Sequence, residues 1–195
     1  LKLIRSFGAK PDNCIMCDTS GVIFEGRTKG MNKWKEELAC KTEKRTLTEA
    51  LEGADVFIGV SAAGALSPDM LQKMAKDPIV FAMANPEPEI RPERALEVRP
   101  DCIIATGRSD YPNQINNVMC FPFMFRGALD VRARQINEDM KVAAALALAK
   151  LTKEPVPPEV SAAYNGRKFE FGRNYIIPTP FDPRLISTIP KAVSQ

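Results

Sequence analysis

Short apolar runs alternate with amphipathic stretches along most of this chain. Four runs have the length of a strand, are apolar on both faces and end in turn residues: 13–18, 55–60, 78–83 and 102–107. Between and around these runs the spacing of apolar residues predicts helices over 32–40, 46–53, 68–76 and 92–98. Strands that alternate with helices form βαβ units. The pattern therefore predicts an α/β fold in which a parallel sheet is covered on both faces.

The pattern becomes helical after Asn113, and a long amphipathic helix is predicted over 133–151. Its buried face is predicted to contain Ile136, Met140, Ala143, Ala144 and Ala147. The stretch from Thr152 onward is richer in proline and glycine. A chain of 195 residues has room for one sizeable core. We therefore expect one domain over 1–151 and a C-terminal extension over 152–195 that packs on it.

The charge balance argues against two classes of partner. The 27 basic and 24 acidic residues are interleaved and leave a net charge of only +3, which disfavours nucleic acid and anionic membranes. No apolar run approaches the roughly 20 residues that span a bilayer, and the first residues lack the pattern of a signal peptide. The sequence is thus interpreted as cytoplasmic, with no membrane partner.

The five cysteines and the absence of histidine limit the possible chemistry. Cys14 and Cys17 form a CxxC, but residues three apart on a strand point to opposite faces, and no second CxxC completes a zinc site. We therefore expect no metal site and no redox function there. Without histidine, Ser-His-Asp and Cys-His mechanisms cannot be built from these residues.

Amide side chains are concentrated behind two of the predicted strands. Gln114, Asn116 and Asn117 fall within one helical turn behind strand 102–107, and Asn85 follows strand 78–83. Neutral amides orient a carboxylate or hydroxyl without adding charge, and open parallel sheets bind ligands at the carboxyl ends of their strands. The alternative is that these residues only cap helices and turns. The combination favours a ligand site.

Two acidic residues near the predicted strand ends have simpler interpretations beside the functional ones. We favour a structural ion pair for Arg108 and Asp110, since such pairs beneath a site are common. Asp18 is the last residue of the first predicted strand. In a dinucleotide-binding fold, an acid at the end of the second strand binds the adenosine ribose. The alternative is that this aspartate is only a turn residue, as is common at strand ends.

The phosphate-binding loop of such a fold should precede that acid by about 20 residues. Only 17 residues precede Asp18, and they contain no glycine-rich loop. The predicted fold class is therefore a Rossmann-type doubly wound parallel sheet that is truncated at its N-terminus and carries a C-terminal helical extension.

Four motifs carry a resemblance to a known family: CDTSGVIFEGR, EGADVFIGVSAAGALS, MANPEPEI and TGRSDYPNQINNVMCFPFMFRGALDVRA. Together with YIIPTPFDPRL in the tail, they resemble the NAD(P)-binding domain of bacterial malic enzymes, the type often fused to a phosphotransacetylase-like domain. The resemblance implies oxidation of L-malate by NADP or NAD, followed by decarboxylation of bound oxaloacetate to pyruvate and CO2 with Mg²⁺ or Mn²⁺. It also implies a homo-oligomer.

The resemblance also implies roles for individual residues. Asn85 matches the amide beside the nicotinamide ribose and malate, and Asn117 matches an amide on malate, so that both contact substrate and cofactor. Asn116 and Gln114 are weaker substrate candidates. Further cofactor-binding residues implied are Asp18, Ser61 and Ala62. The family's Tyr and Lys acid/base pair, its metal-binding Glu and two Asp, and its phosphate loop all match no residue of this chain. We therefore expect no catalytic residue here and no activity from these residues alone.

The choice between the two cofactors depends on a group of cations behind Asp18. Its carboxylate repels a 2′-phosphate and favours NAD, but Arg27, Lys29, Lys33 and Lys35 follow closely and favour NADP. We favour NADP, with Arg27 at the phosphate; an exposed basic helix face is the alternative. Two other functions stay open, an amino-acid dehydrogenase-like enzyme and a non-catalytic nucleotide-binding or scaffold module.

Overall fold

The computed structural model describes residues 1–195 and contains nine α-helices and five strands. The strands are β1 Cys17–Asp18, β2 Gly21–Val22, β3 Val56–Gly59, β4 Ile79–Ala82 and β5 Ile103–Thr106. The helices are α1 Lys2–Ser6, α2 Lys33–Glu36, α3 Leu47–Leu51, α4 Pro68–Gln72, α5 Pro92–Val98, α6 Phe121–Asp130, α7 Glu138–Thr152, α8 Pro158–Ala163 and α9 Leu185–Val193. Short 3₁₀ turns occur at Pro11–Asn13 and Asn117–Met119.

A parallel three-stranded sheet in the order β3-β4-β5 organises the α/β part of the chain. Gly59, Ala82 and Thr106 are aligned across it, so all three strands end at one edge. A core of buried side chains fills the space between the sheet and α3, α4 and α5; it includes Leu71, Val80 and Ala95. The predicted α/β fold with a parallel sheet is confirmed.

The first apolar run does not join this sheet. Of residues 13–18 only Cys17–Asp18 forms a strand, and it pairs antiparallel with Gly21–Val22. The expectation of a full parallel strand there was wrong. The chain reverses direction directly after Asp18, and the N–H of Ile23 donates to the carbonyl oxygen of Met16 (2.8 Å), so this segment pairs with the residues that follow it.

Most predicted helices occur at the predicted places. The capping box between Thr46 and Glu49 is formed at the start of α3, and α5 has the predicted bounds. The long helix starts at Glu138 rather than at 133, because Asn137 accepts a hydrogen bond from the backbone N–H of Met140 as a cap and Arg132 has φ 51°. Helix α2, Lys33–Glu36, is also shorter than the predicted helix over 32–40.

The C-terminal helix α9 packs on α6 and α7. Its Leu185, Ile189 and Val193 are buried in a second core that α7 shares. Gly127 of α6 allows this close approach, since a Cβ there would lie 2.6 Å from the carbonyl oxygen of Pro190. The division of the chain at residue 151 stays a prediction.

Asn113 connects the C-terminal extension to β5. It is buried, has φ 55°, and its Nδ2 donates to the carbonyl oxygens of Ile104 (3.0 Å) and Arg173 (2.7 Å), while its Oδ1 accepts from the N–H of Ile176 (2.9 Å). An asparagine tolerates this left-handed backbone better than most residues do. The extension therefore sits against the loop that follows β5.

All five cysteines are free thiols. Burial, together with the nearby charge of Asp18, raises the pKa of Cys17 to about 11. Burial raises the pKa of Cys102 to about 11 as well. Neither thiol is a reactive thiolate near neutral pH.

None of the helices has both the length and the apolar character needed to cross a membrane.

Candidate functional site

Three loops leave the sheet at its carboxyl edge and lie next to one another. They begin after Gly59 of β3, after Ala82 of β4 and after Thr106 of β5. The N–H of Met83 donates to the carbonyl oxygen of Gly59 (3.1 Å), so pairing continues one residue beyond the strands. Ligands of open α/β sheets bind in the crevice outside this edge.

Two of the predicted amides are available to a ligand there. Asn85 follows β4 and Asn117 begins the 3₁₀ turn after β5; both are exposed, and neither side chain makes a hydrogen bond within the chain. Asn116 instead accepts a hydrogen bond from the N–H of Val118 (3.1 Å) and caps that turn. For Asn116 the capping alternative is therefore formed, and only its amide NH2 remains for a ligand.

The amides behind β5 line two different cavities. Asn116 and Asn117 line an open groove of 480 Å³ whose apolar wall includes Phe121 and Leu148. Gln114 lines a smaller cavity of 40 Å³ against the C-terminal extension. The structure thus separates Gln114 from the pair that follows it, although all three fall within one turn of sequence.

Arg108 and Asp110 form the predicted ion pair. Their two hydrogen bonds measure 2.9 and 2.7 Å, and Arg108 also donates to Glu87 in the loop after β4 (2.9 Å). The hydrogen bond from Arg108 lowers the pKa of Asp110, so the pair stays charged at neutral pH. This network connects the loops after β4 and β5.

Asp18 lies in a separate cluster at the β1–β2 hairpin. Its carboxylate accepts hydrogen bonds from Arg27 (2.8 Å to each oxygen), from Lys35 (2.6 Å) and from the N–H of Ser20 (2.8 Å). Burial acts to raise the pKa of Asp18, but the hydrogen bonds from Lys35, Arg27 and Ser20 together outweigh it and bring the pKa to about 2. The group is ionised at every physiological pH.

Arg27 is held inside the chain rather than directed outward. Its side chain is only 5% exposed, and its remaining N–H groups donate to the carbonyl oxygens of Gly21, Val22 and Lys29. Lys35 is 29% exposed and makes two hydrogen bonds, to Asp18 and to the carbonyl oxygen of Gly30. Of the cations expected near a phosphate, Lys35 therefore keeps a free donor while Arg27 supports Asp18 from behind.

Sequence reasoning did not identify Glu89. Its side chain is fully buried, and it accepts hydrogen bonds from the loops after β3 and after β4. The only signal in the sequence was its place four residues after Asn85 in MANPEPEI.

No three side chains of Cys, Asp or Glu come together in a way that could hold a metal ion. The residues of this chain therefore do not by themselves form a site for the divalent cation that the resemblance implies.

An open parallel sheet with amides at its carboxyl edge is the arrangement of nucleotide-binding α/β domains. Residues 8–162 match the family model described as malic enzyme, NAD binding domain. The chain belongs to this family, which confirms the resemblance. The family match also decides against the amino-acid dehydrogenase-like alternative.

Known proteins similar to the chain agree with this assignment. An NADP-dependent malic enzyme of Rhizobium meliloti (strain 1021) is 62% identical over 195 residues, and an NAD-dependent malic enzyme of the same organism is 49% identical over 195 residues. Each alignment covers 100% of this chain, but only 26% and 25% of the relative. The chain thus spans about a quarter of the length of these relatives.

The fold also matches solved malic enzymes. The crystal structure of an NAD-dependent malic enzyme from Thermotoga maritima superposes with a TM-score of 0.83 at 35% identity, over 99% of this chain and 47% of that one. Both NADP- and NAD-dependent relatives thus occur among the similar proteins.

Proposed function

We propose that this chain supplies the dinucleotide surface and the amide part of the malate site in an enzyme that oxidises L-malate to pyruvate and CO2. The observation that carries the proposal is the pair of exposed, unpartnered amides, Asn85 and Asn117, at the carboxyl edge of a parallel sheet. Family membership supports the same reaction.

The proposed roles follow from the chemistry of the side chains. Asn85 hydrogen-bonds the nicotinamide ribose and malate, and Asn117 hydrogen-bonds malate, so that the C2 carbon is held toward the hydride acceptor. Neutral amides fix this geometry without changing the charge of a dianionic substrate. Ser61 and Ala62 form the turn that passes over the dinucleotide.

We assign no acid/base catalyst to these residues. Tyr111 donates its hydroxyl hydrogen bond to Glu93, and Tyr175 is buried with a pKa raised by burial to about 12. Neither pairs with a lysine. The proton-transfer groups, like the ligands of Mg²⁺ or Mn²⁺, are proposed to come from other parts of the enzyme.

NADP is the proposed cofactor, with NAD as the alternative. One carboxylate and two cations make the Asp18 cluster net positive by one charge, which favours an added anion such as a 2′-phosphate. Lys35 is the better candidate for direct contact. Arg27, which the sequence placed at the phosphate, is proposed to act by neutralising Asp18.

We also propose a cytoplasmic location and a homo-oligomeric enzyme. The five free thiols fit a reducing compartment. Phe121, Phe125 and Leu129 form an exposed apolar stripe along α6, and such stripes commonly lie at contacts between protein surfaces.

The proposed reaction is tested by a substrate panel on the longest natural polypeptide that carries residues 1–195, called the full-length protein below. With Mn²⁺ and NADP, cofactor reduction should depend on L-malate and not on L-glutamate or shikimate. Residues 1–195 alone should give no turnover, since they hold neither an acid/base pair nor a metal site. Reduction driven by an amino acid, or turnover by residues 1–195 alone, would contradict the proposal.

A further inference from the structure

Glu89 is a fully buried carboxyl group that makes no salt bridge. Its Oε1 accepts hydrogen bonds from the N–H of Ser61 (2.8 Å) and from the hydroxyl of Ser61 (3.2 Å), and its Oε2 accepts from the N–H of Ala84 (3.0 Å). Burying such a group without a counter-charge is unfavourable unless its hydrogen bonds offset the lost solvation. The carboxyl group is therefore held in place by backbone and hydroxyl donors alone.

These donors belong to the two loops that leave neighbouring strands. Ser61 lies two residues after the end of β3, and Ala84 lies two residues after the end of β4, directly before Asn85. The backbone of Glu89 adds a third connection, because its carbonyl oxygen accepts from the N–H of Leu66 (3.2 Å). One side chain thus fixes the spacing of both loops.

The strand beneath Glu89 is shaped to receive it. A Cβ on Gly59 would lie 2.5 Å from Cδ and from Oε1 of Glu89, closer than such atoms approach in proteins. Glycine at the end of β3 therefore leaves the space that the carboxyl group occupies. Gly59 and Glu89, which are far apart in sequence, therefore fit against each other here.

We propose that Glu89 is a positioning residue that holds the Ser61 turn and the Asn85 amide in register for the dinucleotide and the substrate. The inference rests on the proposed function and deepens it. Glu89 acts through Ser61 and Asn85 and does not itself touch a ligand. Because both oxygens accept from N–H groups, a carboxamide at this position would turn its NH2 toward one of those N–H groups and break the link.

The chain offers a matched control at the opposite end of the sheet. Asp101 accepts a hydrogen bond from the N–H of Asp77 (2.8 Å) and thereby connects the segments that enter β4 and β5. Like Glu89 it has a carboxyl group that accepts from the backbone N–H of a neighbouring segment, and it also pairs with Arg99 through two hydrogen bonds (2.8 and 2.7 Å). Asp101→Asn therefore weakens a structural link of at least this strength without affecting the carboxyl edge.

The experiment compares E89Q with D101N in the full-length protein by steady-state kinetics and thermal unfolding. E89Q should raise KM for NADP at least fivefold and lower kcat for malate at least tenfold, whereas D101N should change both by less than twofold while lowering Tm. G59A, which pushes the carboxyl group away without changing it, should reproduce E89Q. A fall in Tm with unchanged kcat and KM in E89Q would overturn the proposal.

A second measurement needs neither a folded variant nor turnover. In the wild-type full-length protein, hydrogen exchange of the Ser61 and Ala84 N–H groups should be at least a hundredfold slower than that of the exposed Ala62 and Ala63. Equal exchange rates would overturn the link. If malate drives no reduction in the wild type, the proposed function fails, and slow exchange at these two positions still identifies the connection between the loops.

Discussion

Replacing Asn117 or Asn85 with alanine in the full-length protein should lower kcat/KM for malate by one to three powers of ten, roughly 1.4 to 4 kcal/mol. Each change removes a neutral hydrogen bond that is proposed to hold malate or the nicotinamide ribose. Both side chains are exposed and unpaired within the chain, so the folded state should lose little. Steady-state kinetics with malate and NADP, paired with thermal unfolding, measure the two effects.

Asn137 provides the matched control for these amides. It caps α7 by accepting a hydrogen bond from the N–H of Met140 (2.9 Å), away from the strand ends. Asn137→Ala should cost about 1 kcal/mol of stability and leave kcat/KM unchanged. The proposal would be contradicted if the Asn117 and Asn85 variants kept wild-type kinetics, or if their kinetic losses only followed a loss of stability. Both residues would then only form turns.

Lys35→Ala should raise KM for NADP at least tenfold and leave KM for NAD nearly unchanged. The reason is the loss of the cation that both pairs with Asp18 and keeps an exposed donor, which turns a net positive cluster into a neutral one. A tenfold change corresponds to about 1.4 kcal/mol, an ordinary value for one charge-assisted contact. Initial rates with each cofactor in turn give the two KM values.

Lys33→Ala is the control for that experiment, because its ammonium lies 4.7 Å from the centre of the Trp34 ring and makes no contact with Asp18. Arg27→Ala should also raise KM for NADP, but with a loss of stability, since three carbonyl oxygens lose their donor. An equal change of KM for NADP and for NAD in Lys35→Ala would show that these basic residues only form an exposed basic surface and do not bind the 2′-phosphate.

The parts of the fold that local pattern determines could be predicted from the sequence. The runs at 55–60, 78–83 and 102–107 are apolar at successive positions, as predicted for parallel strands, and they contain β3, β4 and β5. One face of β3 is nevertheless exposed, since Val56 and Ile58 are each 46% exposed. Thr46 and Glu49 lie three residues apart at the start of the predicted helix 46–53, which is the spacing of a capping box, and α3 begins with that capping box.

The pairing of residues 13–18 could not be predicted, because an apolar run does not reveal which strand lies beside it. The same limit applies to Arg27. A cation behind a strand looks exposed in the sequence, yet this one is buried because backbone carbonyls of its own loop satisfy it. Its location depends on the fold of the hairpin, which local charge patterns do not encode.

The sequence shows which amides follow the strands, but the structure was needed to show which of them are free to bind a ligand. Asn85 and Asn117 could be selected from their positions behind strands, but Asn116 has the same side chain and turns out to be a cap. Glu89 was missed for a different reason. A glutamate directly after a proline-rich run suggests an exposed loop, and only the structure shows that its carboxyl group occupies the space left by the missing side chain of Gly59.

The most direct test of the central claim is the product ratio of the full-length protein given L-malate, NADP and Mn²⁺. NADPH is followed by absorbance, and pyruvate, oxaloacetate and CO2 are quantified in the same sample. The account predicts one pyruvate and one CO2 for every NADPH formed, with no free oxaloacetate accumulating. Oxaloacetate accumulating in place of pyruvate, or NADPH forming at the same rate without malate, would contradict it.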